Sequence, residues 1–133
     1  MQTLRGNIKL AKILTAQSVN ATATSVGLDT RGNGSESFDS ALIRVNIGAI
    51  TGSPTSVKVK VVESDSSDMS NPSLVNGGDE VTVSQNSMYS FQVKRSKRYL
   101  AITYTITGGT TPTVIIGADA VLNNWETPYP VVA

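Results

Sequence analysis

Apolar and polar residues alternate along two neighbouring stretches in the middle of the chain. Over Ser40–Thr51, Ala41, Ile43, Val45 and Ile47 share one parity, with Arg44 and Asn46 on the other; after a break, Val57, Val59 and Val61 alternate with Lys58 and Lys60. Successive side chains of a strand point to opposite faces, so each stretch buries one face and wets the other, whereas a helix would scatter Val57, Val59 and Val61 around its circumference. Gly48, Gly52, Ser53 and Pro54 supply turn chemistry between them, in a loop too long for a two-residue hairpin. The pattern predicts a long antiparallel hairpin over Ser40–Val62, with the remaining strands packed on its apolar face.

Elsewhere the same period recurs. Ile8–Leu14 reads as a strand, although Ile8, Ala11 and Leu14 also fit a helical stripe. Gln17–Val26 reads as a second strand, with Val19, Ala21 and Ala23 opposite Asn20, Thr22 and Thr24, and Gly27–Ser37 as a loop. Glu63–Gly78 has the composition of a long surface loop, with a short strand at Leu74–Val75, and Glu80–Val83 gives another short strand. Tyr89, Phe91 and Val93 form one face of a strand that ends in a basic turn, Lys94-Arg95-Ser96-Lys97-Arg98. Two strands follow: Tyr99–Thr107, with Leu100, Ile102, Tyr104 and Ile106 on one face, and Thr113–Leu122, with Val114, Ile116, Ala118, Ala120 and Leu122 on one face. The connection Ile106-Thr107-Gly108-Gly109-Thr110-Thr111-Pro112-Thr113 echoes Ile50-Thr51-Gly52-Ser53-Pro54-Thr55, which we ascribe to shared turn chemistry. Together these segments predict an all-β fold, an antiparallel β-sandwich (jelly-roll or immunoglobulin-like) of seven to nine strands, forming one domain over 1–133 with extended arms at 1–7 and 123–133.

Composition narrows the chemistry. A chain of 133 residues can bury a core without staples, and it has no Cys and no His. That removes disulfides, thiol nucleophiles, the commonest general base and the commonest transition-metal ligand. A Ser–Lys hydrolase would still be open, but no motif supports one, so no catalytic residue is assigned and no enzyme activity is expected. Glu63, Asp65 and Asp68 offer hard oxygen ligands, but their spacing matches no calcium motif, and they read as solvated loop residues; no metal or cofactor is expected. Eleven basic against ten acidic residues argue against a dedicated nucleic-acid binder. No apolar run approaches the roughly 20 residues that span a bilayer, and Met1–Lys12 makes no convincing signal peptide, so no membrane partner and no export are expected.

Two features carry the binding expectations. Lys94, Arg95, Lys97 and Arg98 concentrate charge in one turn, either as a solubilising turn or as a contact for an acidic partner surface. The tail holds the lone Trp125 beside Pro128, Tyr129 and Pro130, either closing one end of the sandwich or docking on a neighbouring subunit. Tyr89, Phe91, Tyr99 and Tyr104 lack the spacing of an RNA-binding sheet and read as core.

The run Phe38-Asp39-Ser40-Ala41-Leu42-Ile43-Arg44-Val45-Asn46-Ile47-Gly48-Ala49-Ile50-Thr51, followed by Val57-Lys58-Val59-Lys60-Val61-Val62-Glu63-Ser64-Asp65, resembles small structural proteins of tailed bacteriophages. So do Lys97-Arg98-Tyr99, Thr107-Gly108-Gly109-Thr110 and Ala118-Asp119-Ala120-Val121-Leu122. The resemblance spans roughly residues 25–122 and departs from the pattern at Met69–Gly78, where a Trp-containing loop is expected. It implies a virion protein of the capsid decoration, or cementing, type: a homo-oligomer, made in the host cytoplasm, that binds the major capsid protein. A carbohydrate-binding or adhesion module on the phage surface, or a head–tail or tail component, are the rival expectations.

Overall fold

The computed structural model describes residues 8–31 and 38–123. Among these residues ten strands form: β1 Ile8–Val19, β2 Ala23–Thr24, β3 Leu28–Asp29, β4 Ser40–Thr51, β5 Ser56–Ser64, β6 Ser73–Leu74, β7 Val81–Thr82, β8 Ser87–Lys94, β9 Tyr99–Thr107 and β10 Thr113–Asn123. They form two antiparallel sheets packed as a β-sandwich. One sheet has the order β1-β10-β4-β8; the other has β2-β9-β5-β6, with β3 also on β9 and β7 also on β5. The count exceeds the expected seven to nine because β2, β3, β6 and β7 are two-residue pairings within connecting segments, too short for any periodicity to register.

The core follows the parities read from the sequence. Ile43, Val45, Val59, Val61, Leu100, Ile102 and Ile116 are fully buried between the sheets, with Val57, Phe91, Val93, Tyr104, Val114 and Leu122 around them. Lys58 and Lys60 lie on the outer side of β5 and are half-buried. Ile8–Leu14 is strand, as expected, but it continues without a break to Val19; the expected strand over Gln17–Val26 is divided between β1 and β2. Two register irregularities in β1, between Lys12 and Leu14 and between Leu14 and Gln17, disturb the alternation that would have marked it as a single strand.

The central hairpin does not form. β4 pairs with β10 and β8 in one sheet, and β5 pairs with β9 in the other, so the chain crosses the sandwich between Thr51 and Ser56. The turns after β8 and after β9 cross in the same way, and neither is a hairpin. Alternation specifies which face of a strand is buried; two strands facing each other across a core satisfy it as well as two side by side. The loops explain the choice. Thr55 N–H donates to Thr107 O at 2.7 Å and Thr110 N–H to Gly52 O at 2.9 Å, so the two similar-looking connections lie against each other, both crossing between sheets. Gly52 (φ +81°) and Gly109 (φ +83°) make this possible: a Cβ on Gly109 would stand 2.6 Å from Gly52 O, and one on Gly52 would stand 2.5 Å from Pro112 Cα. The two connections that echo each other in sequence thus share one structural task, crossing between the sheets side by side.

Candidate functional site

Inward parity on β5 continues past Val57, Val59 and Val61 to Glu63, which therefore points into the end of the sandwich and is 5 % exposed. A buried carboxylate needs donors, and the crossover after β8 supplies them. Glu63 Oε1 accepts from Ser96 N–H at 2.7 Å and Lys97 N–H at 3.0 Å, while Oε2 accepts from the Ser96 hydroxyl at 2.8 Å. Charge-assisted bonds of this kind are about twice as strong as neutral ones, so the carboxylate fixes the backbone of the basic turn. Glu63 is not the solvated loop residue expected from its neighbours, and its place in the inward parity of β5 is the signal that marks it.

The arginines of the turn are also engaged. Arg98 forms two parallel bonds to Asp29, Nε to Oδ1 and Nη2 to Oδ2, each 2.8 Å, and its guanidinium lies 5.3 Å from the Tyr99 ring centroid. The bond to Asp29 raises the Arg98 pKa above its usual value. Arg95 Nε donates to Phe38 O, and Arg95 Nη1 to Lys97 O at 3.4 Å; partial burial, with Arg31 nearby, lowers its pKa. Thr30, 1 % exposed, receives the same corner, its N–H donating to Arg98 O at 3.1 Å. Of the four cations, then, Arg95 and Arg98 help to hold the corner together. The Lys94 side chain is exposed and that of Lys97 half-exposed. Beside them lies an open groove of about 520 Å³ lined by Glu63, Leu74, Asn76, Lys94, Arg95 and Ser96. The result is a rim of positive charge over a buried carboxylate, on a loop whose backbone is fixed in advance.

Trp125, Pro128, Tyr129 and Pro130 lie outside the described residues. Tyr104 and Phe91 are buried in the core, as expected. Tyr99 joins Val62, Met69 and Ala101 in a second apolar cluster, and the Tyr89 hydroxyl accepts from Ser84 N–H at 2.8 Å. Among the described residues, no three acidic side chains gather as metal ligands; Glu63 turns inward, and Asp68 accepts from Ser70 N–H at 3.0 Å. No helix among them is long and apolar enough to cross a membrane.

The outer faces of the two sheets differ. On the β5–β9 sheet, Lys58 and Lys60 stand beside Thr105 and Thr103, and the apolar pair Val62 and Ala101 is covered by Met69. On the other sheet, Leu10, Val121 and Leu42 align in register across β1, β10 and β4, with Leu10 77 % and Leu42 37 % exposed. The next row carries Lys12, Asp119 and Arg44, the last two 3.7 Å apart.

No protein-family model matches the chain, and no curated protein matches it. Among solved structures, FLHE is 15 % identical with a TM-score of 0.48, covering 89 % of this chain and 98 % of that one. The CBM22-1–GH10 modules of Clostridium thermocellum endo-1,4-β-D-xylanase 10B, complexed with xylohexaose, are 11 % identical with a TM-score of 0.42; the match covers 92 % of this chain and 30 % of that one. Similarities at this level carry no functional argument.

Proposed function

We propose that this chain is a non-catalytic virion structural protein that binds the outer surface of an assembled phage capsid and stabilises it. The observation that carries the reading is the loop Lys94–Arg98, whose backbone is clamped by Glu63 and whose lysines stand at the surface. A loop ordered before binding loses little further entropy on docking, and its cations steer it to an acidic surface. The resemblance of residues 25–122 to phage structural proteins supports the major capsid protein as that surface. The action is mechanical: each molecule adds buried area across joints of the shell, which raises the free energy of opening, and an interface of about 1,600 Å² is enough for stable binding. The test is to add the purified protein to shells assembled without it and to measure the temperature at which they open. A rise that saturates with occupancy supports the reading, and unchanged shells at saturating protein overturn it.

A further inference from the structure

On the outer face of the β1-β10-β4-β8 sheet, Leu10 is 77 % and Leu42 37 % exposed, with Val121 half-buried between them. Along β10 from that row, at and beyond the row of Lys12, Asp119 and Arg44, the face carries a groove bordered by Lys12, Asp119 and Asn46 on its polar side. Ala16 packs over Gly117, where a Cβ would stand 3.0 Å from Ala16 Cα, and Ile115, 45 % exposed, packs over Gly48 and forms one wall of the groove. The groove so formed measures about 270 Å³. By volume it admits an aromatic ring, since a cavity of about 150 Å³ holds benzene, and its polar side offers Asn46 and Lys12 to the ring's polar edge.

We propose that this face receives residues 124–133 of a neighbouring copy, which makes the protein a homo-oligomer joined by exchanged arms. The segment, Asn-Trp-Glu-Thr-Pro-Tyr-Pro-Val-Val-Ala, brings Trp125 and Tyr129 for the groove and row, and its only charged residue, Glu126, complements a face bearing Lys12 and Arg44 against Asp119. The occupant comes from a second copy because of where β10 ends. Asn123 is paired on both sides, with Ile8 and with Ser40, so the chain leaves the sheet from a central strand at its end. Gly117 lies six residues back along β10, about 20 Å at strand rise. Reaching it in the same molecule needs a reversal within 124–126, because Pro128 and Pro130 bias Thr127 and Tyr129 towards extended backbone. Ten extended residues span about 31 Å, longer than the roughly 20 Å from Asn123 to Gly117 along a strand. Prolines also reduce the ordering entropy lost on docking.

Trp125 is the chain's only tryptophan, so the full-length protein carries its own reporter. Sedimentation velocity and tryptophan emission are followed over a range of concentrations, for the wild type, for Leu10→Lys and Leu42→Lys on the exposed face, and, by sedimentation, for Trp125→Ser. The wild type is expected to associate as concentration rises, with emission moving to the blue in step. Each variant is expected to raise the dissociation constant at least about tenfold, the effect of losing one apolar anchor. The face variants, altered only at outward positions, keep the wild-type melting temperature of the monomer. The inference is overturned if the face variants or Trp125→Ser associate like the wild type, which puts the interface elsewhere. It is equally overturned by a monomer whose Trp125 is shielded at every concentration, in which the segment covers its own sheet, or by one whose Trp125 stays solvated throughout. Shell binding is not read in this experiment, so its outcome and that of the proposed function are separable.

Discussion

Glu63 holds Ser96 by both its N–H and its hydroxyl, at 2.7 and 2.8 Å, across 33 residues of sequence. This contact turns a run of like charges, which would repel one another as a loose turn, into a fixed corner of the sandwich. Glu63→Gln keeps the shape but removes the charge from three hydrogen bonds, each of which falls from about 1.5–3 to about 0.5–1.5 kcal/mol, so it should destabilise the fold by about 3 kcal/mol. Urea unfolding checks this: the midpoint should fall with an unchanged m-value.

The assignment of inward and outward faces on β5 is tested by two adjacent substitutions. Val59 is fully buried, so Val59→Asp places an unpaired charge in the core and should cost more than about 3 kcal/mol or prevent folding. Lys58→Asp, on the outer side, should change stability by no more than about 0.5 kcal/mol. A Val59→Asp protein that melts within a degree or two of wild type would show that the faces are misassigned.

The crossing loops make a prediction of their own. Gly109→Ala puts a methyl group against Gly52 O and Pro54 at a positive φ, and should cost about 2 kcal/mol from backbone strain and overpacking together. Because the same loops join both sheets, the loss should appear in one cooperative thermal transition. A separate early transition would show that the loops are not part of the common structure.

These positions also show what could be read from the sequence. The buried faces of β4, β5, β9 and β10 were legible because a period of two is a local property: Ile43, Val45, Val57, Val59 and Val61 all lie in the core. Which strand lies beside which was not legible. Every ladder between the long strands joins segments that do not follow one another in sequence, and nothing in the parity of β4 and β5 distinguishes a hairpin from a crossing. The basic turn was visible as charge, but its meaning depended on distant carboxylates. Asp29, 69 residues from Arg98, and Glu63 look like ordinary loop acids until the sheets bring them to the corner. The apolar row of Leu10, Val121 and Leu42 was hidden for the same reason, since its members come from three strands that meet only in the folded sheet.

The central claim is that the surface lysines of the clamped corner bind an acidic capsid surface. Arg95 and Arg98 are poor probes, because reversing them would break the contacts to Phe38 and Asp29; Lys94, which is exposed, and Lys97, which is half-exposed, are the better ones. The most direct measurement is co-sedimentation of the wild type and of the Lys94→Glu, Lys97→Glu double variant with assembled shells, in low salt and near 0.5 M salt, with folding checked by thermal melting. Wild-type binding should weaken at high salt, where charges are screened beyond a few Å, and the folded double variant should bind at least about tenfold more weakly in low salt. Binding that is indifferent to salt and unchanged in the double variant, or no binding of the wild type to shells at all, would contradict it.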